Sequence, residues 1–290
     1  MNKIRPLLFV AFAITLFSCA KEYSSENGAG ANDLIVGVDC RISKIVFTDT
    51  SGVSMGGAGT GLGSIAANIN SLDIVTRITL FDSLSNTIEY IKDPVYTNDS
   101  IYINADEYFI VDVNKRIIKM HGLTDPTDLL SPPFDVLYNY NAAGALVSKE
   151  YSSPGSPAIP FYRVDYIYSG ANLVRMVAVD LPGGDLAMDA DLTYYNFLIP
   201  RRFIYIFPDE LFYPAYNQFF NFGVKNYNAV KKLTVRNYDP GNVVRDSLVS
   251  TFSNYIMSAD TYVLSVQMGG DNQPSIPAAA GKLSFSYHCR

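Results

Sequence analysis

Residues 136–151, VLYNYNAAGALVSKEY, and 162–180, YRVDYIYSGANLVRMVAVD, decide the fold. Each is an alternating run, a short break containing Gly and Asn, and a second run. Successive side chains of a strand point to opposite faces, so Tyr138 and Tyr140 share one face, and Tyr162, Tyr166 and Tyr168 share one with Val164. The breaks, Asn141-Ala-Ala-Gly144 and Ser169-Gly-Ala-Asn172, hold residues that tolerate the positive φ of tight hairpin turns. Both stretches are therefore β-hairpins.

Outward from this centre the same signals recur. Arg41–Thr48 alternates, with Ile42, Lys44 and Val46 expected on one face and Ile45 and Phe47 on the other. Ile74–Phe81 and Thr87–Ile91 form a hairpin, followed by runs at Ser100–Ile103, Glu107–Val111 and Arg116–His121. Val230–Tyr238, Val243–Tyr255, Thr261–Met268 and Leu283–Cys289 continue the pattern. Ser51–Ser64 is Gly-rich and breaks it. Ile65–Ser71 is expected as a short helical turn. Pro208–Val224 (PDELFYPAYNQFFNFGV) does not fit a strand and is expected as a short helix or an ordered aromatic loop. With 21 Tyr, 17 Phe, 20 Gly and 15 Pro, the composition favours strands and turns. The fold class expected is all-β: an antiparallel meander of long hairpins, as a twisted sheet, a sandwich or a partly closed barrel, with few short helices. Residues 34–290 are expected to form one domain.

The N-terminus carries an address. Residues 1–6 include Lys3 and Arg5, and residues 7–17 (LLFVAFAITLF) are apolar. A basic start and an apolar run of about 7–15 residues mark a secretory signal. That run falls short of the roughly 20 residues that cross a bilayer as a helix. Residues 1–18 are expected to be the signal peptide, and residues 19–33, with YSSENGAGAND at 23–33, a flexible tether. Removing residues 1–18 takes away two basic residues and no acid, moving the charge from −6 to −8. An acidic chain with no basic run is a poor partner for nucleic acid, where Lys and Arg displace counterions.

Leu16-Phe17-Ser18-Cys19 resembles the lipobox of bacterial lipoproteins, although Phe17 is larger than the residue usual there. The resemblance implies acylation at Cys19 and a membrane partner through that anchor. Lys21-Glu22 resembles the acidic export signal of Bacteroidetes lipoproteins, which implies an outer-membrane anchor with the cell surface preferred to the periplasmic face. With Cys19 acylated, Cys40 and Cys289 remain in an oxidising compartment, and a Cys40–Cys289 disulfide is expected; the alternative is two free thiols.

The Tyr-x-Tyr hairpins resemble the YD-type repeats of Rhs proteins. More closely, the mature chain resembles uncharacterised Bacteroidetes lipoproteins with such hairpins, through Cys40–Ile45 (CRISKI), Val224–Lys231 (VKNYNAVK) and Ser284–Cys289 (SFSYHC). The resemblance implies a β-meander lipoprotein. It carries no catalytic residue across. The repeats here are few and irregular, which departs from Rhs proteins.

Chemistry-bearing motifs are scarce. His121 and His288 lie outside any metal-binding spacing, and the Gly56–Gly63 run lacks the Lys-Ser/Thr ending of a phosphate loop. Asp185, Asp189 and Asp191 in GGDLAMDADL could meet a calcium ion but lack the Gly and Glu of an EF-hand, and a solvated turn is the reading expected there. No metal and no cofactor are expected. Asp209-Glu210, beside aromatics, is the best spot for a carboxylate-dependent glycan hydrolase, and no catalytic residue is assigned. Tyr213, Tyr216, Phe219 and Phe220 are either a ligand-binding surface or core. Ser83, Ser100 and Ser247, each in an Asp-Ser-apolar triplet, resemble the O-glycosylation sites of exported Bacteroidetes proteins. The function expected is a non-enzymatic binding or structural module with a glycan or an envelope protein as partner, or an accessory subunit of an envelope complex.

Overall fold

The computed structural model describes residues 40–49, 62–82, 87–123, 132–155, 158–199, 201, 204–207, 218–273 and 281–289. They form one antiparallel meander. Its strands are β1 (Cys40–Asp49), β2 (Leu62–Ile69), β3 (Val75–Asp82), β4 (Thr87–Lys92), β5 (Val95–Tyr96), β6 (Ser100–Tyr102), β7 (Tyr108–Val111), β8 (Ile117–Leu123) and β9 (Pro133–Tyr140). They continue as β10 (Leu146–Ser153), β11 (Ile159–Ser169), β12 (Asn172–Asp180), β13 (Leu186–Leu198), β14 (Asn228–Asp239), β15 (Val243–Met257), β16 (Val263–Gln273) and β17 (Gly281–Cys289).

Sequence neighbours pair, and β17 also returns to β1, with Cys40 opposite Cys289 and Ile45 opposite Phe285. Among the described residues no ladder joins β4 to β5, so the sheet is not closed. Yet these two edge strands are consecutive, separated only by Asp93 and Pro94. The sheet must therefore curl until its edges meet. Lys92 Nζ reaches Glu107 Oε2 at 2.9 Å, tying β4 to the turn before β7. The outcome is the partly closed barrel among the three expected forms, not a sandwich.

The curl gives the sheet an inside. On β11–β14, Val164, Met176, Ala190 and Leu233 are all buried. The opposite face of these strands carries Arg163, Asp165, Arg175, Asp191 and Arg236. Registers hold each set in line, with Met176 opposite Ala190 and Ala190 opposite Val235, and Arg175 opposite Asp191 and Asp191 opposite Thr234.

The Cys40–Cys289 disulfide is formed, with Cα atoms 4.2 Å apart and a sequence separation of 249. It closes the first strand onto the last, a cross-link that constrains nearly the whole chain when unfolded.

Three local expectations change. Ile65–Ser71 is not a helical turn: residues 62–69 are β2, held between β1 and β3. Gly, Ala and Asn in LGSIAANI give weak local preference, and pairing on both sides overrides it. A bulge between Ile42 and Lys44 shifts the phase of β1, so Ile42, opposite Tyr287, joins the face of Ile45 and Phe47. Residues 186–198 form a 13-residue strand, although the aspartates there suggested a turn.

Candidate functional site

The described residues of the link between β13 and β14 (199, 201, 204–207 and 218–227) turn inward instead of making a hairpin. Ile199, Tyr205, Ile206, Phe207, Phe219, Phe220 and Phe222 all belong to the buried core. Its two arms hold each other: Tyr205 N donates to Gln218 Oε1 at 2.7 Å, Gln218 Nε2 donates to Tyr205 O at 3.0 Å, and the Tyr205 hydroxyl donates to Gly223 O at 2.9 Å. Phe222 sits at the centre, with ring centroids 5.3 Å from Tyr138, 6.1 Å from Tyr205 and 6.2 Å from Phe109. Tilted and edge-on pairs of this kind are the favoured aromatic geometry. The segment is an aromatic plug.

The plug is pinned to one end of the sheet. Ile117 N donates to Asn221 O at 2.9 Å, and Val224 N to Gly144 O at 3.0 Å. Leu173 N donates to Asn226 Oδ1, and Asn172 Oδ1 accepts from Tyr227 N. Arg41 donates to Phe219 O at 2.8 Å and also to Asp73 O, joining β1 and the β2–β3 turn to the same end. Gly223 is required here. Its φ is +86°, and a Cβ would lie 2.3 Å from Gly144 O and 2.8 Å from the Tyr140 ring.

Cations are drawn into this aromatic interior. Lys149 is fully buried, and its ammonium lies 4.8 Å from the Phe207 ring centre, 5.6 Å from Tyr138 and 5.7 Å from Tyr166. Lys225 lies 4.8 Å over Tyr205. Such contacts offset part of the cost of removing an ammonium from water. Burial, with repulsion from Arg41 adding in the same direction, lowers the Lys225 pKa to about 7. Burial raises the pKa values of Tyr140, Tyr168, Tyr194 and Tyr205 well above the ordinary tyrosine value, so these hydroxyls stay protonated donors. Tyr140 donates to Ile117 O at 2.6 Å and Tyr194 to Leu173 O. The arrangement fixes the plug and fills the curl.

Two charged clusters lie on the outer face. His121 Nδ1 is 2.7 Å from Asp135 Oδ1, Lys119 Nζ is 2.8 Å from Asp135 Oδ2, and the His121 ring stacks on Tyr108 at 5.0 Å. Burial works to raise the Asp135 pKa, but the hydrogen bonds from Lys119 and His121 together hold it low. Asp189, nearly buried, takes Arg236 at 2.7 Å and Arg175 at 3.4 Å, and Asp191 also meets Arg236. These carboxylates are held in ion pairs between neighbouring strands.

The residues singled out in the sequence fall in different places. Phe219 and Phe220 are core, the second of the two readings of their segment. Tyr213, Tyr216, Asp209 and Glu210 lie outside the described residues, as do Cys19 and Ser83. Ser100 is buried, with its hydroxyl 3.1 Å from Asp99 Oδ1, and Ser247 is partly exposed on β15. Asp189 and Asp191 pair with arginine on strand β13, while Asp185 precedes that strand. His288 stands 3.9 Å from Asp73. Sequence reasoning missed Lys149, Lys225 and Tyr205. For Lys149 the cue was its phase: on β10 it lies two residues from Tyr151, on the inward side opposite Tyr138.

No family model and no curated protein matches this sequence. Among solved structures, a porin-like protein from Bacteroides uniformis superposes with a TM-score of 0.57 at 10% identity, over 85% of this chain and 98% of that one. A porin-like protein from Bacteroides vulgatus gives a TM-score of 0.49 at 10% identity, over 86% and 99%. The TcdB2-TccC3 complex gives a TM-score of 0.27 at 9% identity, over 78% of this chain and 14% of that one. The first likeness establishes a shared fold; the other two scores are too low to support an argument.

Proposed function

We propose that this chain is an envelope lipoprotein, acylated at Cys19, whose β body stands in water at the end of a tether and acts as a binding or structural module. The polarity of the sheet supports this reading. Outer-membrane barrels turn an apolar band to the lipid and enclose a polar interior. Here the enclosed face is apolar and filled by the plug, and the outward face of β11–β14 carries arginine and aspartate. The body is thus built to be held at a membrane by its anchor, whatever the porin-like neighbour does. The outer membrane, cell surface foremost, is the location this reading favours. The test is mass spectrometry of the N-terminal peptide isolated from the source envelope. A first residue Cys19 carrying acyl chains is expected, and an unmodified Cys19 or a cut elsewhere would contradict it.

A role as accessory subunit has one observation in its favour. Among the described residues, β4 pairs only with β3 and β5 only with β6, and Ile88, Ile91 and Val95 are exposed there. Such an edge suits addition of a partner strand. Crosslinking in intact cells should then capture one envelope protein in fixed ratio, through residues of β4 or β5. Crosslinks scattered over many proteins would count against it.

A further inference from the structure

We infer that the plug end of the sheet is a lipid-docking face, with the bilayer surface as its ligand; this deepens the anchoring proposed above and rests on it. Turn tips are ordinarily polar or Gly-rich. At this end two tips carry bare aliphatic side chains. Val113, in the turn between β7 and β8, is 94% exposed, and Leu72, between β2 and β3, is 60% exposed. Both turns belong to the plug end, since Asn221 Nδ2 donates to Asn114 O and Arg41 joins Asp73 to Phe219.

Further exposed apolar side chains sit on strand ends at the same level: Ile167 on β11, Phe197 and Leu198 on β13, and Ile256 on β15. Their strands are spread around the curl, so these residues form a rim and not a patch on one side. A one-sided patch would suit a protein partner. A rim around one end suits a plane.

The rim has the chemistry of an interface. Tyr195 and Phe197 stack at 5.3 Å, Tyr255 packs edge-on to both, and Lys231 lies 5.8 Å over Tyr195. Aromatic rings beside cations are favoured where hydrocarbon meets headgroups.

Chain geometry identifies the occupant. The tether enters the domain at Cys40, whose N–H donates to the Tyr262 hydroxyl at 2.9 Å, beside the β15–β16 turn of this same end. Twenty residues separate Cys19 from Cys40. A chain of that length with random-coil dimensions would span about 25 Å on average. An acylated Cys19 therefore keeps the rim close to the bilayer, and weak apolar contacts suffice at such proximity.

The chain has no tryptophan, so one introduced residue reports alone. Val113→Trp places it on the rim. Val243→Trp places it at the start of β15, the far end, at a site 62% exposed. Each full-length acylated variant is reconstituted in phosphatidylcholine vesicles with and without brominated lipid. The Val113→Trp emission is expected to shift to the blue and to be quenched by bromine, and the Val243→Trp emission to do neither. Equal behaviour of the two variants, or an unquenched Val113→Trp, would overturn the inference while leaving the anchor intact. If Cys19 proves unacylated, the same pair added to vesicles from solution decides docking by itself.

Discussion

Arg163, Asp165, Arg175 and Arg236 look out from β11–β14, and Val164, Met176, Ala190 and Leu233 look in from the same four strands. The outer side chains meet one another in ion pairs at surface spacing, such as Arg163–Asp165 at 2.8 Å. The inner ones belong to one buried cluster with the phenylalanines and tyrosines of the β13–β14 link. The difference teaches where stability resides. Exposed ion pairs contribute about 0–1 kcal/mol each, whereas a large buried aromatic contributes several times that. On β11–β14 this polarity is the reverse of that in a membrane-spanning barrel, which is the observation that supports the proposed anchored body.

The contrast can be broken most forcefully from inside. Phe222→Ala should cost about 3–5 kcal/mol in urea unfolding, because Phe222 is fully buried and touches β7, β9 and both arms of the plug. A loss below about 1 kcal/mol would mean that the plug is not part of the folding unit. Removing the tie between first and last strands, with Cys40→Ser and Cys289→Ser together, should cost about 2–5 kcal/mol and abolish any effect of reductant on the unfolding midpoint.

Gly223→Ala sharpens the contrast within the plug. Both the positive φ and the approach to Gly144 O oppose a Cβ, so about 1–3 kcal/mol should be lost. Gly241→Ala is the outer counterpart: it has a similar φ of +83° but open space around it. The smaller loss at Gly241 isolates the contribution of the close approach.

The Lys225 amine gives a pH signature. Its folded pKa of about 7 lies below the ordinary lysine value of about 10.4. Between those values the unfolded chain holds a proton that the folded chain has released, so this group makes stability rise with pH across that window and adds no slope below it. Lys225→Met should be more stable than the parent at pH 7, with the gap narrowing toward pH 10, as read by urea midpoints. A gap independent of pH would remove the lysine from the interior. The smallest effect belongs outside: Arg77→Ala breaks an exposed pair with Asp93 and should leave the urea midpoint essentially unchanged.

Much of this was legible in the sequence. The hairpins around Asn141–Gly144 and Ser169–Asn172 appear where alternation and turn residues placed them, and the cysteine count anticipated the Cys40–Cys289 bridge. The misreadings share a cause. Ile65–Ser71 and the strand from Leu186 lack strong local preference and are strands because neighbours pair with them. The phase of β1 flips at one bulge, which has no local signature. The plug was visible as a cluster of aromatics, but its inward course depends on contacts with four distant turns, and Lys149 and Lys225 follow from that course. The lipidation motif at Cys19 and the tether lie outside the described residues and rest on the sequence alone.

We propose that the β body, with its apolar, plugged interior, does not span the bilayer: its N-terminus anchors it, and any contact of the rim with lipid is peripheral. The most direct test inserts a specific protease site into residues 23–33 of the tether and cleaves it on isolated outer membranes. After an alkaline carbonate wash, which strips docked proteins but not spanning barrels, the fragment that begins beyond the site should be found in the soluble fraction, folded and with its disulfide intact. A fragment that stays with the membrane until detergent is added would contradict the account.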